Sequence, residues 1–303
     1  MTSYAPIALF VYNRLVHTKK TIDALKQNAL ADKSDLIIFS DGARYEREKQ
    51  KVNDLRNYLD TVSGFNSIKI VKREKNFGLA NSIIDGVTTV INEYKKIIVL
   101  EDDLVTSPYF LQYMNSALTL YHDNPKVASI HGYVYPVEEN LPENFFLRSA
   151  DCWGWGTWER AWNLFNPNPN ELLAELKKQN LLYQFDINGS THNVKMLKNQ
   201  ASGKVDSWAI RWHASIFLKN MFTLYPGKSL VQNIGTDGEG THTNSTNVYE
   251  VILSEKNIEI KDIPVEENEL ALKAFEKFFI SIKPNFISRF VKKLIYDKNV
   301  NNI

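Results

Sequence analysis

Three consecutive carboxylates, Glu101, Asp102 and Asp103, directly follow the apolar run 97–100. The run is too short for a helix and rich in β-branched residues, so it predicts a buried strand that ends at these carboxylates. Adjacent like charges repel one another, and we therefore expect a cation to face them. Carboxylate oxygens suit hard divalent ions such as Mg²⁺ or Mn²⁺, which proteins commonly share with substrate phosphates. The alternative is a solvated acidic strand end whose carboxylates cap a helix.

Two earlier strands are also predicted to end in polar residues. The apolar run 6–12 leads into Asn13 and Arg14, and the run 35–40 leads into Asp41. In a parallel sheet these ends meet the three carboxylates at one edge, which is where α/β sheets bind ligands. Arginine can pair with phosphate, and aspartate can accept a hydrogen bond from a ribose hydroxyl or a base N–H. The pattern therefore predicts a nucleotide-binding crevice.

The remaining segments alternate between helical and extended patterns. This alternation predicts βαβ units, and hence an α/β fold with a mostly parallel central sheet flanked by helices. Further strands are expected at 67–71 and 127–131, and a polar helical lobe at 166–204. Further helices are expected at about 16–28, 45–61 and 107–122, one opened by residues 76–82 and running through 91, and one opened by residues 204–208 and running through about 220.

Composition excludes several classes of protein. The chain has 303 residues with 36 basic and 35 acidic side chains, so a broad basic surface for nucleic acid is not expected. The single cysteine, Cys152, excludes an intramolecular disulfide framework and is typical of a reducing cytoplasm. We find neither a signal-peptide pattern nor an apolar run as long as a membrane span.

Taken in order, these motifs resemble the GT-A glycosyltransferases. The resemblance rests on Asn13-Arg14, Asp41, Asn76-x-Gly78, and Glu101-Asp102-Asp103 followed by a Ser-Pro-aromatic helix. In particular the sequence resembles the inverting N-acetylglucosaminyltransferase I-like branch, whose metal motif is Glu-Asp-Asp in place of Asp-x-Asp. A Gly-Trp-Gly block, an Asp-Ser-Trp motif and a late Gly-Thr-His motif extend the likeness to about residue 244.

The resemblance implies a Rossmann-like GT-A fold and specific roles at the carboxyl edge. Asp103 would hold Mn²⁺ or Mg²⁺, while Asp102 and Glu101 would support the ribose and the sugar of a UDP-sugar donor. Asp41 would contact the uracil or the ribose. Asn13, Arg14 and Asn76 would lie near the nucleotide. Residues 1–125 would form the nucleotide-sugar half, 126–250 the acceptor-binding and catalytic half with an acceptor-side lobe, and 251–303 a helical tail.

Four further residues are implicated on the acceptor side, each with a simpler alternative. Asp206 would be the general base, although it could merely cap the helix that follows. His242, in the glycine-rich loop 233–244, would meet the diphosphate or the metal, although a lone histidine is weak evidence. Trp153 and Trp155 would contact the donor or acceptor sugar, because the neighbouring glycines leave room for a ligand; the alternative is core packing. Arg14 could simply form a surface ion pair.

The implied activity is metal-dependent, inverting transfer of a sugar from a UDP-sugar to a glycan or lipid-linked saccharide, in the synthesis of a bacterial surface polysaccharide. Two other hypotheses remain: a nucleotidyltransferase acting on a sugar phosphate, and an inactive nucleotide-sugar-binding partner. We expect a cytoplasmic protein at the inner face of the membrane. Its basic and apolar tail 286–295 could contact anionic lipid or pack on the domain.

Overall fold

The computed structural model describes residues 4–237 and 247–283. The described residues contain ten strands: β1 (Ile7–Val11), β2 (Asp35–Ser40), β3 (Ser67–Lys72), β4 (Lys96–Glu101), β5 (Leu104–Thr106), β6 (Val127–His131), β7 (Asn144–Leu147), β8 (Trp155–Trp158), β9 (Phe222–Pro226) and β10 (Val231–Asn233). The same residues contain ten α-helices: α1 (Leu15–Lys26), α2 (Lys49–Leu59), α3 (Leu79–Tyr94), α4 (Phe110–Leu120), α5 (Glu159–Trp162), α6 (Pro169–Lys178), α7 (Leu182–Phe185), α8 (Asn193–Ala201), α9 (Trp208–Leu218) and α10 (Glu269–Ser281).

Eight of these strands form one sheet in the order β3-β2-β1-β4-β8-β6-β9-β7. Strands β1 to β4 pair in parallel, and β6 and β9 also pair in parallel. Strand β8 runs antiparallel between β4 and β6, and β7 runs antiparallel to β9. The expected mostly parallel α/β sheet is therefore confirmed, with the antiparallel strand β8 inside it and the antiparallel strand β7 at its edge.

Helices cover both faces of the sheet, because successive apolar side chains of each strand point to opposite faces. In β1, Ile7, Leu9 and Val11 join the apolar cluster that includes α1, α2 and α4. Ala8 and Phe10 join the opposite cluster, to which α3, α5 and α9 contribute. A strand buried on both faces reads as a continuous apolar run, which is why these strands were recognisable in the sequence.

A second, two-stranded sheet extends the carboxyl edge. Strand β5 begins one residue after Asp103 and pairs antiparallel with β10. The backbone N–H of Ile234 then donates to the carbonyl oxygen of Asp103 at 2.8 Å. The chain that follows β10 is thereby held against the acidic residues.

The segment 166–204 forms the expected helical lobe. Helices α6, α7 and α8 share an apolar cluster with one side of α9, including Leu176, Phe185 and Leu197. His213 of α9 is buried in this region, and its ring lies 4.7 Å from that of Phe185. Burial, assisted by the charge of Arg148 and opposed by Asp151, lowers the pKa of His213 to about 4.

This buried imidazole predicts acid sensitivity. The unfolded chain binds a proton at His213 near pH 6.5 and the folded chain near pH 4, so stability is lost as the pH falls between those values. We expect a loss of about 3 kcal/mol from this residue between neutral pH and pH 4. Urea unfolding of the wild type and of His213→Leu across this range measures it. An equally steep loss in both proteins would contradict the assignment.

The far edge of the sheet packs on the C-terminal part of the chain. Residues 251–268 follow the surface without regular secondary structure, and α10 then covers β7 and β9 through Ala271 and Phe275. The expected helical tail is therefore helical only in α10 among residues 251–283. Residues 286–295 and His242 lie outside the described residues. No helix among those described is long and apolar enough to cross a membrane.

Candidate active site

The carboxyl ends of three neighbouring strands bring the predicted polar residues to one edge. Strand β1 lies between β2 and β4, with Val11 opposite Ser40 and Phe10 opposite Glu101. Asn13 and Arg14 leave the sheet after β1, Asp41 leaves after β2, and Asp102 and Asp103 leave after β4. Asn13 is half-buried there. The parallel pairing, more than any local motif, places these residues together.

Arg14 supplies a cation opposite the acidic residues. Its Nη2 donates to Asp102 Oδ1 and to Asp103 Oδ2, the latter at 2.7 Å. Its Nη1 is buried and has no hydrogen-bond partner among the described residues. Burial alone would lower the pKa of Arg14, but the charges of Asp102 and Asp103 outweigh it and hold that pKa above its ordinary value. The simple surface ion pair considered for Arg14 is therefore wrong, because its partners are the acidic cluster itself.

The acidic residues are protected from water. Burial, reinforced by Asp103 and Asp102, raises the pKa of Glu101 to about 8. Burial also raises the pKa of Asp102 to about 6, against the opposing charge of Arg14. A solvated strand end would show neither shift. The burial and mutual repulsion that raise both pKa values would be relieved by a cation bound beside the carboxylates.

Asp41 is largely enclosed by the turn that opens α3. Its Oδ1 accepts from the backbone N–H groups of Gly42 and Phe77, both at 2.9 Å. Its Oδ2 accepts from Gly78 N–H at 3.0 Å and from Asn76 Nδ2 at 3.1 Å. A carboxylate has about four lone-pair positions, so these contacts leave little capacity for a nucleobase or ribose. The structure joins Asp41 and Asn76, but chiefly to shape the 76–78 turn.

Arg73, one residue after β3, is a residue that the sequence did not single out. Its side chain is buried, and its guanidinium lies 4.1 Å from the ring centroid of Phe77 and 5.6 Å from that of Phe39. Nη2 pairs with Asp85 at 2.7 Å, while Nη1 is buried without a partner among the described residues. The available signal was its position, a charged residue at the end of a predicted strand beside Asp41.

The tryptophan block is a strand of the core. Trp155 begins β8, is fully buried, and stacks on Trp208 with ring centroids 5.2 Å apart. A Cβ on Gly154, where φ is +71°, would lie 2.7 Å from Val231, and one on Gly156 would lie 2.9 Å from the carbonyl oxygen of Ile97. Close packing, and not space for a ligand, requires these glycines. The interpretation of Trp155 as a sugar contact is therefore replaced by core packing.

Trp153 is half-buried just before β8. Its ring centroid lies 4.8 Å from that of Tyr133 and 5.6 Å from that of Tyr249. Its backbone N–H donates to Nε2 of the buried His131 at 3.2 Å, and His131 Nδ1 donates to the carbonyl oxygen of Tyr133 at 2.8 Å. Because one ring nitrogen of His131 donates and the other accepts, the imidazole is neutral. Burial lowers its pKa. His131, which the sequence did not single out, thus fixes the backbone at Trp153.

Asp206 lies just before α9, but it is not the cap of this helix. Ser207 is the N-cap, and its hydroxyl accepts from the backbone N–H of Ile210 at 3.3 Å. The Asp206 side chain is 60% exposed and accepts from Arg211 at 3.0 Å. Trp208, two residues later, stacks on Trp155, which ties the start of α9 to the strand beside β4. This geometry removes the capping explanation for Asp206.

The donor set at the edge fits a hard cation bound together with phosphates. Among residues 4–236 and 247–283, no three carboxylate, imidazole or thiol groups converge on one point. Asp103 and Asp102 nevertheless offer oxygen donors, and the unpartnered Nη1 of Arg14 offers a donor to an anion. Mg²⁺-type sites commonly use one or two carboxylates, waters and substrate phosphates. The residues present are therefore suited to a metal that arrives with a diphosphate.

The order and direction of the strands, with acidic residues after β4, are those expected of the GT-A fold. Residues 7 to 179, more than half of the chain, match glycosyl transferase family 2. The chain therefore belongs to glycosyl transferase family 2.

Solved structures show only a distant likeness. TarS of S. aureus is 13% identical, with a TM-score of 0.31, over 46% of this chain and 23% of its own. The mannosyltransferase PcManGT from Pyrobaculum calidifontis, solved with GDP-Man and Mn²⁺, is 14% identical, with a TM-score of 0.30, over 44% and 37%. A UDP-glucose pyrophosphorylase solved with UDP-glucose is 12% identical, with a TM-score of 0.36, over 73% and 90%. The chain thus spans well under half the length of the first two proteins. No curated protein matches the sequence.

Proposed function

We propose that this protein is a metal-dependent, inverting glycosyltransferase that transfers a sugar from a UDP-sugar, UDP-GlcNAc or another UDP-hexose, to a hydroxyl of a glycan acceptor. The observation that carries the proposal is the meeting of Arg14, Asp102 and Asp103 at the carboxyl edge of β1 and β4. A buried guanidinium between two carboxylates, with one nitrogen still unpartnered, is suited to a phosphate and a cation together. In this reading the glycan is part of a bacterial surface polysaccharide, and the reaction takes place at the cytoplasmic face of the membrane when the acceptor is lipid-linked.

Residues of the chain would divide the chemistry of the donor. Asp103 would hold Mn²⁺ or Mg²⁺, with Asp102 beside it, and such an ion when bound stabilises the charge that develops on the departing diphosphate. Arg14 would donate to the same phosphates. Glu101, next to Asp102, would support the donor sugar through its carboxyl group. His242, outside the described residues, would complete the diphosphate or metal contact.

The nucleoside would lie between the 76–78 turn and β1. Asp41 and Asn76 shape this turn, and Asn13 lies at the end of the neighbouring strand. Arg73 Nη1 is a buried donor without a partner among the described residues, near the charge of Asp41. A carbonyl oxygen of the base would satisfy it. A buried donor rejects a ligand that lacks the matching acceptor, so Arg73 would contribute to base selection.

Asp206 would accept the proton from the acceptor hydroxyl. That oxygen forms the new bond to the anomeric carbon, while the bond from this carbon to the phosphate oxygen breaks and releases UDP. Transfer in one step, without a covalent intermediate, inverts the anomeric carbon, as in the single-displacement glycosidases. Trp153, half-buried just before β8, would contact the acceptor or donor sugar.

The two alternative activities are less well supported. Membership of glycosyl transferase family 2 favours a glycosyltransferase over a nucleotidyltransferase acting on a sugar phosphate. An inactive nucleotide-sugar-binding partner would leave the exposed carboxylate of Asp206 without a chemical role. Such a partner would also show neither transfer nor hydrolysis of any UDP-sugar.

The test is the thermal stability of the protein with UDP or GDP, each with and without Mn²⁺. A ligand that binds only the folded state adds about 2.7 kcal/mol at 100 times its Kd. We expect UDP with Mn²⁺ to raise Tm by several degrees, and Asp103→Asn to lose the part that depends on Mn²⁺. Asp60→Asn, an exposed carboxylate paired with Lys72, is the matched control and keeps the full response. No response to either nucleotide would contradict the proposal; a response to GDP alone would correct the donor. The anomeric configuration of the product, measured by NMR, tests inversion.

A further inference from the structure

We propose that Arg14 is the internal counter-cation of Asp102 and Asp103, and that it makes the binding of a divalent cation depend on prior binding of a nucleoside diphosphate. The diphosphate draws the guanidinium away from the two carboxylates, and Asp103 is then free for the cation. This inference rests on the proposed use of a metal and a nucleotide, but it concerns the order in which they bind.

A single nitrogen of the Arg14 guanidinium contacts the carboxylates of both Asp102 and Asp103. Arg14 Nη2 contacts Asp102 Oδ1 and Asp103 Oδ2 together. The side chains are only 20%, 7% and 15% exposed for Arg14, Asp102 and Asp103, respectively. Water screens such a group weakly, so the guanidinium and a divalent cation compete for the same oxygens at close range.

The backbone of Gly235 restricts the space around the Asp103 carboxylate. A Cβ placed on Gly235 would overlap Asp103 Oδ2 and would lie 3.1 Å from Arg14 Nη1. The preceding residue, Ile234, donates its backbone N–H to the Asp103 carbonyl oxygen. Asp103 Oδ2 is therefore enclosed by the guanidinium on one side and by the Gly235 backbone on another. Both neighbours restrict the approach of a cation to this oxygen, and the Arg14 side chain is the less constrained of the two.

Arg14 also has a hydrogen-bond donor available for an anion. Its Nη1 is buried and lacks a partner among the described residues, although a guanidinium has five N–H donors to satisfy. Arginine matches phosphate oxygens through two parallel hydrogen bonds. A diphosphate that engages Nη1 and Nη2 therefore satisfies the orphan donor and replaces the contacts that Nη2 gives up.

These contacts predict reciprocal coupling between the two ligands. If the diphosphate removes the competitor of the metal, it tightens metal binding, and by linkage the metal tightens nucleotide binding by the same factor. Coupling of this kind typically amounts to about 5–150-fold. Phosphate oxygens that ligate the metal also couple the two ligands, so the contribution of Arg14 is the part of the coupling that its replacement removes.

The experiment measures the Kd of Mn²⁺ by electron paramagnetic resonance, with no turnover, in the presence and absence of UDP. For the wild type we expect weak Mn²⁺ binding alone and binding at least about 10-fold tighter with UDP. Arg14→Gln is expected to bind Mn²⁺ alone at least about 10-fold more tightly than the wild type, and to lose most of the coupling to UDP. Arg14→Lys keeps the charge but cannot bridge both carboxylates in the same way, and is expected to be intermediate.

The control is Arg44→Gln, which removes a positive charge from an exposed residue in the loop after β2. It reports the general electrostatic effect on Mn²⁺ binding, which we expect to be small. Unchanged Mn²⁺ affinity in Arg14→Gln and Arg14→Lys, with UDP-dependent binding retained in the wild type, would overturn this inference and leave the proposed function intact. Absence of Mn²⁺ binding in every variant, with and without UDP, would overturn the metal dependence itself.

Discussion

Replacement of Asp206 by Asn is expected to lower kcat by ~10²–10⁴-fold while leaving the binding of UDP and Mn²⁺ nearly unchanged, because the general base is lost and the nucleotide contacts are not. Asn keeps an oxygen that can accept from Arg211, so the buried guanidinium of Arg211 retains a partner. The carboxylate is mostly exposed, and exposed ion pairs contribute roughly 0–1 kcal/mol, so stability should change little.

The control for Asp206 is its neighbour. Ser207 caps α9, and Ser207→Ala should cost about 1 kcal/mol of unfolding free energy with only a small effect on turnover. Initial rates with a UDP-sugar and acceptor, together with urea unfolding, separate the two effects. Full activity in Asp206→Asn, or a rate lost only in proportion to stability, would show that Asp206 is not the base.

The position of Asp206 depends on a cluster of tryptophans that joins two parts of the fold. Trp155 of β8 stacks on Trp208 at 25° between ring planes and lies 6.0 Å from Trp212, both of which belong to α9. Strand β8 pairs in turn with β4, the strand that ends in Glu101. The same contacts therefore set the distance between the acidic residues and the start of α9. In the proposed mechanism the cluster would act on the chemistry by positioning Asp206.

Local patterns predicted the strands that are buried on both faces. The bounds expected for β2 and β6 agree with the structure, because each is a short apolar run between polar residues. Strand β8 was missed because Trp-Gly-Thr-Trp shows no such run, and its glycines were attributed to a ligand. Helix α4 begins at Phe110 and not at Ser107. The Ser107 hydroxyl accepts from the backbone N–H of Tyr109 at 3.3 Å and donates to the distant carbonyl oxygen of Ser254.

The site was predictable in its composition but not in its contacts. The rule that parallel strands end at one edge correctly grouped Arg14, Asp41 and the three carboxylates. It could not show that Arg14 bridges Asp102 and Asp103, since those pairs span 88 and 89 residues. The contacts of Asp41 with the 76–78 turn are non-local too. Such pairings are properties of the folded chain, and a single sequence gives no direct measure of them.

Replacement of Asp41 by Ala is expected to destabilise the protein by about 2–5 kcal/mol and to weaken UDP binding at least tenfold. Three backbone N–H groups and one side-chain amide donate to this carboxylate, which is only 6% exposed. Each buried donor that loses its acceptor costs about 1–3 kcal/mol, less whatever water recovers. The guanidinium of Arg73 also loses a nearby negative charge.

Asp41→Asn distinguishes the contributions of shape and charge. The Asn side chain keeps one acceptor oxygen, but its NH₂ group faces the N–H donors that the other carboxylate oxygen had bound. We therefore expect an intermediate loss of stability. Asp60→Ala serves as the control, since its exposed pair with Lys72 should contribute roughly 0–1 kcal/mol. Urea unfolding and UDP titration of the three variants measure both effects. If Asp41→Ala lost UDP binding but kept its full stability, the carboxylate would contact the nucleotide directly, and its role in shaping the turn would be wrong.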